Sequence, residues 1–229
     1  MLKIKFLRIN LPDGLEKTYR HLADAPFSRD GQDGFEVTSF SKNHIEAKFI
    51  EKIITKEQIT DPFGNVQEII ATRYGTTELT VSNFSGIYVL ALRNPSRSVN
   101  ALVKRFSALV GNGFFAASIV LDVERFGQYV KLHYNEQALV ATKVFASNLT
   151  LDNHSTANIE LLSSSNALSD LKHHFPSQDI LIERARFSLT DHGRKSQLEI
   201  KASGVVGITG VKSKVLEEII TSFVSDLYK

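Results

Sequence analysis

The chain has 229 residues, 42% hydrophobic and 23% charged, enough for one large folded domain or two small ones and inconsistent with global disorder. Zero cysteines exclude disulfides, thiol catalysis, cysteine-based zinc fingers and iron–sulfur clusters together. A net charge of +2, from 27 basic and 25 acidic residues, permits a polyanionic partner without demanding one.

Leu2 to Ile9 alternates charged with apolar residues and reads as a strand. The same stretch lacks the continuous apolar core of a signal peptide, and no run approaches the ~18 apolar residues of a membrane span. With the missing cysteines, this gives the expectation of a cytoplasmic protein with no membrane partner. Leu15 to Ala23 reads as a short helix opened by Asp13 and closed before Pro26. Ser28 to Gly34 is a polar loop rich in turn residues, and Phe35 to Phe40 is the next strand.

Ile45–Thr60 and Val66–Val81 are both rich in Ile, Thr, Val and Phe, and Asp61-Pro-Phe-Gly-Asn between them is a turn signal. Two readings fit. One is a single hairpin with arms of roughly 50 Å, at ~3.3 Å per residue. The other breaks near Lys56 or Tyr74-Gly75 into two ordinary hairpins. Ile87 to Leu92 is nearly continuous apolar sequence and belongs in the middle of a sheet. The helix from about Ser98 to Leu109 carries Leu102, Val103, Phe106 and Leu109 on one face, and Gly111 ends it.

Phe114 to Val123 reads as a strand, while Glu124 to Asn135 fits helix or strand equally. Lys143–Leu151 with Ala157–Leu162, and Ile180–Thr190 with Gln197–Ala202, read as hairpins. Ala167–His174 is a short helix between them, and a last amphipathic helix starts near Lys214. The fold class is therefore α+β: mainly antiparallel sheet with long hairpins and two amphipathic helices. Each of those two helices follows a strand pair, Thr77–Leu92 and Ser196–Ile208, so a strand–strand–helix unit occurs twice. A single domain over 1–229 is expected. If the chain divides, the break lies near 111–137, giving halves 1–112 and 113–229.

Two helix starts invite an anion-site reading, because first-turn amides and the helix dipole both favour negative charge. At the first, Arg93 and Arg97 flank Asn94-Pro-Ser, with Ser96 or Ser98 as cap and Lys104 and Arg105 one to two turns on. At the second, Gly204-Val-Val-Gly-Ile-Thr-Gly-Val-Lys-Ser brings Lys212 to a helix start. It lacks the Gly-Lys-Ser/Thr order of a phosphate loop, so the glycines read first as strand and turn residues. The candidate anion-binding set is Arg93, Arg97, Ser98, Lys104, Arg105 and Lys212.

Aromatic–basic neighbours such as Arg73-Tyr74 and Arg186-Phe187 would stack bases if both were exposed; alternation places one of each pair in the core. No metal-ligand spacing, nucleophile elbow or paired-carboxylate motif is present, so no cofactor and no metal are expected. The leading expectation is a non-enzymatic binding subunit of an intracellular assembly that contacts nucleic-acid phosphates. A protein partner or self-association through the 45–81 hairpin accompanies it. The alternatives are a purely structural oligomerisation module, or a hydrolase or transferase assembled from Asp152, His154, His173, His174, Asp191 and His192.

Overall fold

A computed structural model describes residues 1–95, 99–133, 139–151, 154–176, 180–191 and 194–228. From the N-terminus come β1 (Leu2–Asn10) and α1 (Gly14–Ala23). Next are β2 (Asp33–Phe40), β3 (His44–Thr60), β4 (Val66–Phe84), β5 (Ile87–Arg93) and α2 (Asn100–Val110). They are followed by β6 (Phe115–Ser118), α3 (Val123–His133), β7 (Leu139–Thr150), β8 (Thr156–Leu162) and α4 (Ala167–His174). The remainder is β9 (Leu181–Asp191), β10 (Arg194–Lys201), β11 (Val205–Thr209) and α5 (Ser213–Asp226). The fold is α+β and dominated by antiparallel sheet, as the alternation predicts. Among the described residues there are five helices, the four read from the sequence and α3 in the stretch that fits helix or strand.

The chain divides into two compact units, one of residues 9–116 and the other of 1–8 with 117–229. In the 9–116 unit the strands run β2-β3-β4-β5, all antiparallel. Alternate residues point inward, so Phe35, Ile45, Ala47, Phe49, Leu79 and Val81 form an apolar face buried with Leu22, Leu102 and Phe106 of α1 and α2. Phe35, Phe49 and Phe106 pack ring on ring, with centroids 5.2 and 5.8 Å apart.

β3 and β4 pair without a register shift from His44↔Ser82 to Thr60↔Val66, so the single long hairpin is the structure and there is no break at Lys56 or Gly75. Its tip is closed by Asp61, whose Oδ1 accepts from the amides of Phe63 and Asn65, both at 2.9 Å. Asn65 Nδ2 donates to Asp61 Oδ2 at 2.8 Å, and Gly64 takes the left-handed turn position with φ +87°. β2 reaches only as far as Glu51 of β3, and β5 only as far as Glu78 of β4. Beyond those points no further strand of the described residues flanks the hairpin. It is a two-stranded ribbon touched only near its base, where the Gln32 carbonyl accepts from Lys52 N–H at 2.7 Å and the Phe27 ring meets Tyr74 at 6.0 Å.

In the other unit the strand order is β1-β11-β10-β9-β7-β8, again antiparallel. One face is apolar and buried: Ile4, Val206, Ile208, Leu198, Ile200, Ala185, Phe187 and Val144. Helices α3, α4 and α5 pack on it, centred on Phe126, which meets Phe187 at 4.9 Å and Phe223 at 5.2 Å. The segment expected as a strand over 114–123 is strand only at Phe115–Ser118, and the ambiguous stretch after it is helix α3. Its apolar residues Val123, Phe126 and Val130 recur at helical spacing and are buried. Asn166 caps α4, its side chain accepting from the amides of Leu168 and Ser169.

Candidate nucleic-acid interface

The first expected anion site lies in the 9–116 unit. Arg93 ends β5, directly across from Glu78 on β4. Glu78 in turn lies across from Lys48, which pairs with Glu36 at 3.3 Å. Glu36, Lys48, Glu78 and Arg93 thus form a row of alternating charge over four strands, the arrangement favoured across a sheet. Arg105 turns toward Asp33, its Nε 3.0 Å from Oδ1. That Nε is buried and lies too far off line for a hydrogen bond, so the pairing is electrostatic. Lys104 is exposed on α2. Val99 is the N-cap and offers no side-chain cap. Arg97 and Ser98, with Ser96, lie outside the described residues. Opposite charges therefore face two of the three described cations of this cluster.

The second expected site is the start of α5. Lys212 holds the N-cap, and its backbone N–H is taken by Ser196 Oγ at 3.0 Å, so that amide does not point to an outside anion. The glycines before it serve the backbone. A Cβ at Gly204 would meet the Ile119 carbonyl oxygen at 2.5 Å, and one at Gly210 would meet Ser196 Cα at 2.6 Å. Both have positive φ, +80° and +103°.

Of the Asp/His groups, Asp152 and His192 lie outside the described residues. His173 and His174 adjoin each other at the end of α4, ring centroids 5.7 Å apart, and Asp170 accepts from Ser165 Oγ at 3.5 Å. No cluster of three potential metal ligands occurs among the described residues. A cavity of about 420 Å³ beside α3 and α4 carries Glu124 and Lys172 on its wall, paired with each other at 2.8 Å.

A concentration of positive charge appears where no local motif marks it, on the sheet face of the 1–8/117–229 unit opposite its helices. Because side chains alternate, this face carries Lys3 and Lys5 of β1, Lys195 and Lys201 of β10, Arg184 and Arg186 of β9, and Lys143 of β7. Against these seven cations stand Glu199 and Glu160 in the regular register and the exposed Glu183 at the β9 bulge beside Arg184, an excess of four positive charges. The whole chain carries only +2, so the charge is segregated to this surface.

Registration gathers the side chains into a row. Glu160, Phe145, Arg184, Lys201, Val205 and Lys5 lie side by side across six strands. Arg184 Cζ stands 5.6 Å from the Phe145 ring centroid, so a half-exposed aromatic and a guanidinium are stacked in the row. Glu160 is shared between Lys143 at 2.5 Å and Arg184 at 3.5 Å, and Arg186 pairs with Glu199 at 3.0 Å. The Lys143 hydrogen bond, with the charges around it, holds the Glu160 carboxyl below its ordinary range. Lys195 and Lys201 have no carboxylate partner among the described residues.

Lys5 Nζ donates to Ser118 Oγ at 3.0 Å and to the Ser203 carbonyl at 2.9 Å, both neutral. Partial burial, and then the neighbouring Lys3 charge, push its pKa below the ordinary lysine value. No helix of the described residues is long and apolar enough to cross a membrane.

No family model matches the chain, and no curated protein matches it.

Proposed function

We propose that this chain is a binding subunit that contacts nucleic-acid phosphates, and that the contact surface is the cationic sheet face of the 1–8/117–229 unit. The observation that carries this reading is the segregation of seven cations against three carboxylates on one sheet face in a nearly neutral chain. Phosphates gain most where cations converge without internal neutralisation, and Lys5, Lys195 and Lys201 meet that condition on this face. The Arg93–Arg105 cluster has the same residue types but faces Glu78 and Asp33, so it contributes less.

The test is anisotropy of labelled single- and double-stranded DNA and RNA across a salt series. A Lys5→Gln/Arg184→Gln/Lys201→Gln variant is compared with Arg93→Gln/Lys104→Gln, fold being checked by circular dichroism. Wild type should bind at low salt, and the triple variant should flatten the log K against log salt slope by about 2 to 3, near one phosphate per lost cation. The double variant should change it by less. Absence of binding at low salt, or equal losses in both variants, defeats the reading.

A further inference from the structure

The bare part of the β3–β4 ribbon has two open edges, and they differ. Asn83 N–H donates to the Asn43 carbonyl on the β3 side of β4, at 2.8 Å. Backbone groups alternate in direction along a strand, and β3 and β4 pair without a register shift. So the odd residues of β4 serve β3, and Val66, Glu68, Ile70, Thr72, Tyr74 and Thr76 direct N–H and C=O to the open edge. The same parity turns Lys52, Ile54, Lys56 and Gln58 away from β4, as the Lys52 N–H donation to the Gln32 carbonyl shows, so the open edge of β3 begins at Ile54. Lysines on an edge strand discourage pairing with another chain. The β4 edge has neither lysine nor proline at its outward positions, and Val66, Ile69, Ile70 and Tyr74 are between 46% and 60% exposed.

Residues 66–74 read Val-Gln-Glu-Ile-Ile-Ala-Thr-Arg-Tyr, a pattern of apolar and polar residues that is the same in both directions about Ile70. We propose that two copies of this chain pair antiparallel along the β4 edge, about a two-fold axis through Ile70. In that register Ile70 meets Ile70 of the other copy, Ile69 meets Ala71, Val66 meets Tyr74, Glu68 meets Thr72 and Gln67 meets Arg73. Every apolar residue meets an apolar one and no like charges oppose. A shift by two residues either way places Ile70 across from Glu68 or Thr72. Shifts by one are forbidden, because opposed residues must both direct their backbone groups at each other.

The pairing forms about ten new backbone hydrogen bonds over ~30 Å and turns two bare ribbons into one four-stranded sheet. Each ribbon has isoleucines on both faces, Ile53 and Ile69 on one and Ile54 and Ile70 on the other, and the wider sheet shields the inner ones. An isologous contact of this kind closes at two copies, whereas joining a β3 edge to a β4 edge would propagate without end.

The absence of native cysteine makes the test direct. Residues facing each other across a hydrogen-bonded antiparallel pair are ~5.5 Å apart at Cα, within disulfide range. Ile70→Cys should therefore oxidise to a covalent dimer, while Lys56→Cys on the opposite edge should stay monomeric under the same oxidant. In sedimentation equilibrium the wild type should show a monomer–dimer equilibrium. Thr72→Pro, which deletes an outward N–H and leaves the β3–β4 bonds intact, should weaken it by about tenfold or more. Failure of Ile70→Cys to cross-link overturns the proposal, whether the wild type is then monomeric or dimeric. So does a dimer that Thr72→Pro leaves unchanged.

Discussion

Single residues carry several of the fold's less forgiving requirements. Asp61 closes the ribbon tip with three hydrogen bonds, and they hold its carboxyl below the ordinary range, the Asn65 side chain being the leading cause. A carboxyl depressed in the folded state stabilises it above the unfolded pKa, and that contribution fades as pH falls through the folded value. The tip should therefore keep its order at neutral pH and loosen only below about pH 4, the ordinary Asp range. Amide exchange at Phe63 and Asn65 followed against pH checks this, and Asp61→Ala should give fast exchange at every pH. Lys5 has the opposite logic. Its pKa is lowered because the charged form is partly desolvated beside Lys3, so a bound phosphate should raise it. An NMR titration of the Lys5 ammonium with and without oligonucleotide reads that shift. At Gly204 a methyl group would strike the Ile119 carbonyl at a positive φ. Gly204→Ala should lower stability by more than ~1 kcal/mol in urea unfolding.

At the scale of elements, most of the architecture is written in local periodicity. The alternation of Leu2–Ile9, the apolar run at Ile87–Leu92 and the stripe Val215, Ile219, Ile220, Phe223, Val224 and Leu227 each give an element of the right kind, although Val215 is exposed and Leu216 takes the buried place. Two places resisted. The 124–135 stretch has Phe126, Tyr129 and Val130 spaced acceptably for helix and strand alike, and the decision comes from the apolar pocket between Phe187 and Phe223. Ribbon length was ambiguous because Lys56 and Gly75 are poor strand residues. They are accommodated in the exposed ribbon, where Lys56 reaches Glu68 at 3.0 Å. Phe223 of α5 is fully buried. Phe223→Ala should cost about 3–5 kcal/mol, measured as a lower urea midpoint with unchanged m-value.

At the scale of the whole molecule, the cationic face had no signature that local reading could detect. Lys5, Arg184 and Lys201 are neighbours only because β1, β11, β10 and β9 register as they do. Along the chain they are ordinary isolated charges, and only the strand order makes them one surface. The expected cluster near Arg93 shows the converse. Its residues are close in sequence, but the carboxylates that oppose them come from other elements, Glu78 on β4 and Asp33 on β2. Local spacing revealed cations and could not reveal their counter-charges.

The 1–8/117–229 unit is discontinuous in sequence, and this has a consequence for the order in which the protein is made. The partners of Leu2–Lys5 are Val205–Ile208, some two hundred residues downstream. At ~5–20 residues per second of synthesis, about 10–40 s separate their emergence from the ribosome. Residues 9–116 emerge complete within that interval. Their closure is local, whereas the sheet that carries the cationic row must wait for β11. A nascent chain arrested before residue 205 would hold one finished unit and an N-terminal segment still without the strand it pairs with. Any nucleic-acid affinity contributed by Lys5 together with Arg184 and Lys201 is therefore a property acquired only near the end of translation.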